Sequence, residues 1–152
     1  MFSFFKKKDL FTPEENERIV SAIRRCETLT SGEMRVYIEA KNPLVDPLER
    51  AAVVFTKLQM QLTQHRNGVL LYIATKHKEV ALLGDEGIYQ QVGKDFWEAE
   101  VQSMVSKFGA NGLLEGIEQC VLHVGDVLHE KFPYVNSEDK NELPDEIVFG
   151  KL

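Results

Sequence analysis

Residues 68–84 read GVLLYIATKHKEVALLG, and the fold turns on how that stretch is parsed. Gly68 to Thr75 is apolar almost without interruption, the pattern of a central strand buried on both faces rather than one with a wet side. After Lys76, His77 and Lys78 a second apolar run, Glu79 to Gly84, begins at once. So short a polar break between two strand-like runs means a hairpin. Upstream, Glu33 to Ala40 (EMRVYIEA) alternates, with Met34, Val36 and Ile38 opposite Arg35, Tyr37 and Glu39. This is the period of a strand.

Helical patterns surround these three strands. Thr12-Pro13-Glu14-Glu15, Asp46-Pro47-Leu48-Glu49 and Asp95-Phe96-Trp97-Glu98 each set a capping side chain three residues before a Glu. In that arrangement the cap oxygen takes a free backbone N–H and the Glu reaches back. Behind the first cap, Ile19, Ile23 and Cys26 share a face. Behind the second, Leu48, Ala51, Ala52, Phe55, Leu58 and Leu62 do so, and behind the third Trp97, Val101, Met104, Val105 and Phe108. A fourth helix, from about Asn111 to Lys131, carries Leu113, Ile117, Cys120, Val121, Val124 and Leu128 at helical spacing. The order helix, strand, helix, strand, strand, helices makes the first two strands a parallel pair joined by a right-handed crossover. The third returns antiparallel beside the second. The expected fold is an α/β layered domain: a small mixed sheet flanked by four main helices.

Composition narrows function from another side. The chain has 152 residues, 43% hydrophobic and 28% charged, with 18 Lys+Arg against 24 Asp+Glu and a net charge of −6. One domain is the expectation at that length, and no disulfide or metal is needed for it to fold. A pI of about 5.3 argues against nucleic acid, whose binders show a basic stripe. No run approaches the length of a membrane span, and MFSFFKKKDL is not built as a signal peptide. A soluble, cytoplasmic, monomeric protein with an unidentified protein partner is the expectation. Residues 1–10 are expected to be flexible, 11–132 to form the domain, and 133–152 an acidic tail whose last apolar residues, Ile147, Val148 and Phe149, dock on it. Phe2, Phe4, Phe5 and Lys6–Lys8 have the composition of a weak membrane-surface contact, although a short terminus more often frays or packs on the core.

The topology also selects charges. Thr30-Ser31-Gly32-Glu33, Arg66-Asn67-Gly68 and Gly84-Asp85-Glu86-Gly87 should meet at one end of the sheet. Glu33, Asp85 and Glu86 then converge, with Asp95 a short helical turn away. Such a rim can supply the mixed oxygen ligands a hard cation needs, calcium or magnesium first. Other chemistries are weaker. His123 stands three residues after Cys120, but the thiol sits in an apolar stripe and reads as a buried structural group. GIYQQVGK (87–94) misses the phosphate-loop spacing and the Ser or Thr after its Lys.

SGEMRVYI, RNGVLLYIATKHKEVALLGDEGI and GLLEGI resemble the TPM domain family over about Phe11 to Lys131. The ending ELPDEIVFG is similar to that of small soluble bacterial relatives. The resemblance implies a three-layer α/β/α sandwich, divalent-cation binding in some members near the loop matching Gly84–Gly87, and an acid phosphatase label. Where relatives often carry a Gly-Asp-Tyr-like stretch this chain has Phe108-Gly109-Ala110-Asn111-Gly112, and their signal peptide and C-terminal membrane helix have no counterpart here. The expectation is a non-catalytic interaction or adaptor module with a divalent cation at the acidic loop, held by Asp85, Glu86, Glu33 and Asp95. The alternative is a metal-dependent acid phosphatase acting on phosphomonoesters, with Arg66 the nearby candidate for a phosphate clamp.

Overall fold

A computed structural model describes residues 10–108, 112–134 and 145–152. Its centre is β2 (Gly68–Ala74), all seven residues of which are buried. β1 (Glu33–Glu39) runs parallel to it in the register Glu33 with Gly68 through Glu39 with Ala74. β3 (Glu79–Gly84) returns antiparallel, Val69 opposite Gly84. The crossover pair and hairpin are as the sequence reading has them. A fourth strand, β4 (Val148–Phe149), lies parallel to β1 on its other side, giving the order β3-β2-β1-β4. It comes from the segment read as the docking end of the tail.

Alternation along the strands sends the two faces to separate cores. Met34, Val36, Ile38, Val69, Leu71, Ile73, Val80 and Leu82 face a large core. There they meet α1 (Pro13–Leu29), α4 (Lys94–Lys107) and α5 (Leu113–Lys131). Tyr37, Leu70, Tyr72, Ala74 and Ala81 face a smaller core under α2 (Pro47–Lys57). Among the described residues the result is an α/β/α sandwich with four main helices and one short one, α3 (Tyr89–Val92).

The caps explain where the helices begin. Thr12 Oγ1 accepts from the Glu15 N–H at 3.1 Å, and Glu15 Oε1 accepts from the Thr12 N–H at 2.8 Å. Asp46 accepts from the Leu48 N–H at 2.9 Å. The third cap is not as expected. The chain turns at Gly93 and α4 starts at Lys94, so Asp95 lies inside the first turn and no side chain caps that helix. An acid there still meets the positive end of the helix dipole. The face read for the second helix is also corrected. α2 ends at Lys57 because Gln59 turns left-handed at φ 58°, which carries Leu62 out to solvent. Ala51, Val54 and Phe55 are the buried residues instead of Leu48, Ala52 and Leu62. The expected start of the last helix at Asn111, the N-terminal Phe/Lys cluster and most of the tail's acids lie outside the described residues.

Glu39 marks the end of β1 with a buried ion pair. Its carboxylate accepts from Arg50 Nε at 2.8 Å and Nη2 at 2.9 Å, and from the Tyr72 hydroxyl. Burial pushes this carboxyl up, but the bonds from Arg50 and Tyr72 and the Arg50 charge outweigh that and hold it below the usual range. Beside it, β4 is clipped on by Gly150 N–H to Ile38 O at 2.8 Å and Ala40 N–H to Lys151 O at 2.9 Å. A Cβ at Gly150 would stand 2.3 Å from the Tyr37 hydroxyl. Tyr37 cannot yield freely, being buried and stacked on Tyr72 at 6.1 Å. Gly150→Ala is therefore expected to cost about 1–3 kcal/mol through overpacking. Adding Tyr37→Phe should recover part of the loss, read from urea midpoints of the two variants against wild type.

Candidate cation site at the strand-end acidic loop

The three connections do meet. Glu33 N–H donates to Asn67 O at 3.3 Å, Asp85 N–H to Gly68 O at 2.9 Å and Gly87 N–H to Arg66 O at 2.8 Å. Gly87 is held so close to the preceding loop that a Cβ would stand 2.2 Å from His65 O, so no side chain fits there. Arg66 takes φ 50° in the loop just before β2, and its guanidinium lies over the turn that leaves β3.

What sits on the acids is that guanidinium. Arg66 Nε meets Asp85 Oδ2 at 2.7 Å and Nη2 meets Oδ1 at 2.9 Å, the two-pronged geometry that Arg offers a carboxylate. Arg66 Nη1 reaches Glu86 Oε1 at 2.8 Å. Asp85 Oδ1 also accepts from the Glu86 N–H at 2.7 Å. Asp85 is 6% exposed, while the Arg66 and Glu86 side chains are 42% and 72% exposed. The hydrogen bond to Asp85, then its charge and that of Glu86, push the Arg66 pKa further up.

Glu33 and Asp95 stand differently. Glu33 and Asp85 flank Gly68 on opposite sides of β2, about 9–10 Å apart by strand spacing. The electrostatic neighbours of Glu33 are Cys26 and Glu27 of α1, both of which its charge pushes up. Asp95 stays on the first turn of α4. Among the described residues, no three or more His, Cys, Asp or Glu side chains are grouped so that they could hold a metal ion.

Two features were not anticipated. Asn67 is 0% exposed, and neither its Oδ1 nor its Nδ2 has a partner; the sequence signal, Asn-Gly, reads only as a turn. Glu27 of α1 faces Asp145 and Glu33, and burial first, then the bond and charge of Asp145, push its carboxyl up to about 9. No spacing in the sequence could pair residues so far apart along the chain.

Both thiols and three of the histidines are engaged within the fold. Burial raises the Cys26 thiol to about 12 and also raises Cys120, Glu100 adding to the latter. His123 pairs with Glu100 at 3.2 Å, not with Cys120. His77 Nδ1 accepts from the Asn42 N–H, and His129 Nδ1 donates to Leu29 O.

Fold and site together describe a small α/β sandwich with an arginine-clamped acidic loop at one sheet end. The chain matches the sequence profile of the TPM domain over residues 5–127 and belongs to that family. It is 35% identical to the BA42 protein from the psychrophilic bacterium Bizionia argentinensis, whose NMR structure superposes with a TM-score of 0.84, covering 94% of this chain and 97% of that one. The N-terminal domain of the cg2496 protein from Corynebacterium glutamicum shares the fold, with a TM-score of 0.61, 10% identity, and 94% and 80% of the two chains covered. No curated protein sequence matches the chain significantly. Among the described residues no helix is long and apolar enough to cross a membrane.

The raised Glu27 carboxyl makes a pH prediction. Its folded pKa of about 9 lies above the ordinary 4.5, so the fold binds this proton more tightly than the unfolded chain does. Its contribution is fully present below pH 4.5 and is lost progressively as pH rises towards 9. Urea midpoints should therefore fall between pH 5 and pH 8, and Glu27→Gln should flatten that fall. An equal slope in both proteins would contradict the assignment.

Proposed function

We propose that this chain is a non-catalytic interaction module whose acidic loop takes a divalent cation, calcium or magnesium, in competition with Arg66. The carrying observation is that one half-exposed guanidinium serves as counterion to both Asp85 and Glu86. A guanidinium on a flexible stem is a replaceable cation, and the site beneath it has its charge already gathered. As they stand the residues form no open cage, because both Asp85 oxygens are engaged. With Arg66 turned away, Asp85 and Glu86 would offer up to four oxygens, and water would complete the six to eight that calcium takes. The unpartnered Asn67 Oδ1 is a neutral acceptor on the adjoining loop. Glu33, across β2 from Asp85, and Asp95, on the first turn of α4, stay in the proposal as the remaining carboxylates of the expected set.

The non-catalytic half rests on the fate of the reactive groups. Both thiols are buried and protonated, His123 is engaged by Glu100, and Arg66 is engaged by the loop's own acids rather than free to grip a phosphate. The acid phosphatase alternative would need a nucleophile and a cationic clamp that these pairings leave out.

Calcium titration followed by backbone amide shifts tests the reading. The amides of Asp85 to Gly87 should move at millimolar calcium. Arg66→Ala should tighten binding roughly tenfold, about 1.4 kcal/mol on the affinity scale, by removing the competitor. Asp85→Asn should abolish it. No movement in wild type or Arg66→Ala would overturn the cation. Hydrolysis of p-nitrophenyl phosphate that Asp85→Asn removes would replace the module by the enzyme.

A further inference from the structure

β3 is an edge of the sheet, and its outer side is unpaired at the bottom of a cleft, with Val80 5% and Leu82 3% exposed. The Asp85 N–H bonds inward to Gly68 O, so antiparallel alternation turns Leu83, Ala81 and Glu79 towards β2. Val80, Leu82 and Gly84 then direct their N–H and C=O groups away from the sheet. Among the described residues no strand pairs with them. Natural edges are blunted by Pro, Lys, a bulge or inward charge. β3 (EVALLG) has no Pro or Lys, its register is unbroken, and its one charge, Glu79, stands at its start.

The surroundings say what could cover it. α2 and α4 belong to the cores on opposite faces of β3, and residues of both helices line, together with the strand, a cleft of about 1060 Å³. Leu48 on one side and Trp97 and Val101 on the other give it apolar walls. The apolar lip continues from Leu48, 48% exposed in the first turn of α2, onto the loop before it, where Val45 is 94% exposed. A second copy of this chain would bring its own α2 and α4 to the same place, so edge-to-edge pairing of two sheets is sterically obstructed, whereas a lone extended chain fits between the walls. The charges on the rim are Asp46, Glu86 and Glu98 with Lys94; Glu86 is paired with Arg66 and Glu98 with Lys94, which leaves Asp46 as the net negative charge and favours a cationic end on the occupant.

We propose that this cleft binds an extended peptide as a fifth strand, paired through its backbone to Val80, Leu82 and Gly84, with apolar side chains against both walls and Lys or Arg flanking them. Strand addition of this kind takes affinity from main-chain hydrogen bonds and specificity from side-chain pockets. β3 spans about 20 Å, room for a segment of similar length. The inference rests on the interaction-module reading but not on its cation.

The probe is the peptide Lys-Lys-Val-Tyr-Val-Tyr-Val-Lys-Lys, titrated into the full chain with calcium-loaded and calcium-free samples in parallel. Bound peptide should slow hydrogen exchange of the Val80, Leu82 and Gly84 amides at least tenfold. Leu48→Lys, at an exposed position that leaves the fold intact, should weaken binding about tenfold, and N-methylation of all five central peptide nitrogens should abolish it. Unchanged exchange of those three amides at millimolar peptide overturns the proposal. Equal binding of the N-methylated peptide also overturns it, since contact without pairing is not strand addition. So does protection of the same amides by dimerisation of the chain alone. Calcium shifts at Asp85 with no peptide binding would retire the cleft and leave the cation, while peptide binding without calcium shifts would do the reverse.

Discussion

β2 has to be buried on both faces, and most of the architecture answers that constraint. Val69, Leu71 and Ile73 point one way and Leu70, Tyr72 and Ala74 the other, all of them fully enclosed. A strand of this kind must have a neighbour on each side for its backbone and a helical layer on each face for its side chains. β1 and β3 supply the first. α2 on one side, and α1, α4 and α5 on the other, supply the second. The three loops at the start of β2 are brought together as a consequence, because a parallel neighbour enters where an antiparallel one leaves.

That convergence places charge as well as backbone. Asp85 follows β3 directly and ends up nearly buried, where an unpaired carboxylate is costly. Arg66, just before β2, supplies the compensating cation from the adjoining connection. At the other end of the sheet Glu39, Arg50 and Tyr72 solve the same problem with deeper burial. The two pairs differ in exposure: Arg50 is nearly enclosed, whereas Arg66 is half in water, and the proposed exchange for a divalent cation rests on that difference.

The sequence was informative wherever a period or a turn carried the signal. The alternation of Met34, Val36 and Ile38, the apolar run from Gly68 and the Thr12–Glu15 box all lie where a local reading puts them. Asp95 misled because Asp-x-x-Glu matches a capping box, although the turn at Gly93 starts the helix two residues earlier. The face of α2 misled because nothing in Gln59 announces a left-handed turn. Meeting of the loops followed from topology, so Asp85 and Glu86 were legible as neighbours. Arg66 was visible only as a nearby cation, since its two-pronged bond depends on side-chain geometry across 19 positions of chain. The pairing of Glu27 with Asp145, and the unpaired edge of β3 between two helices, emerge only once distant segments are packed.

The claim on which the site depends is that Arg66 is the internal counterion of Asp85. The Nε–H resonance of Arg66 reports on it directly, because a guanidinium N–H bonded to a carboxylate oxygen, with Nε 2.7 Å from Asp85 Oδ2, exchanges slowly with water and a free one exchanges fast. At neutral pH without added metal, the account predicts a resolved, exchange-protected Nε–H for Arg66 that collapses to the free rate in Asp85→Asn. An Arg66 Nε–H that exchanges at the free rate in the wild-type chain would contradict it.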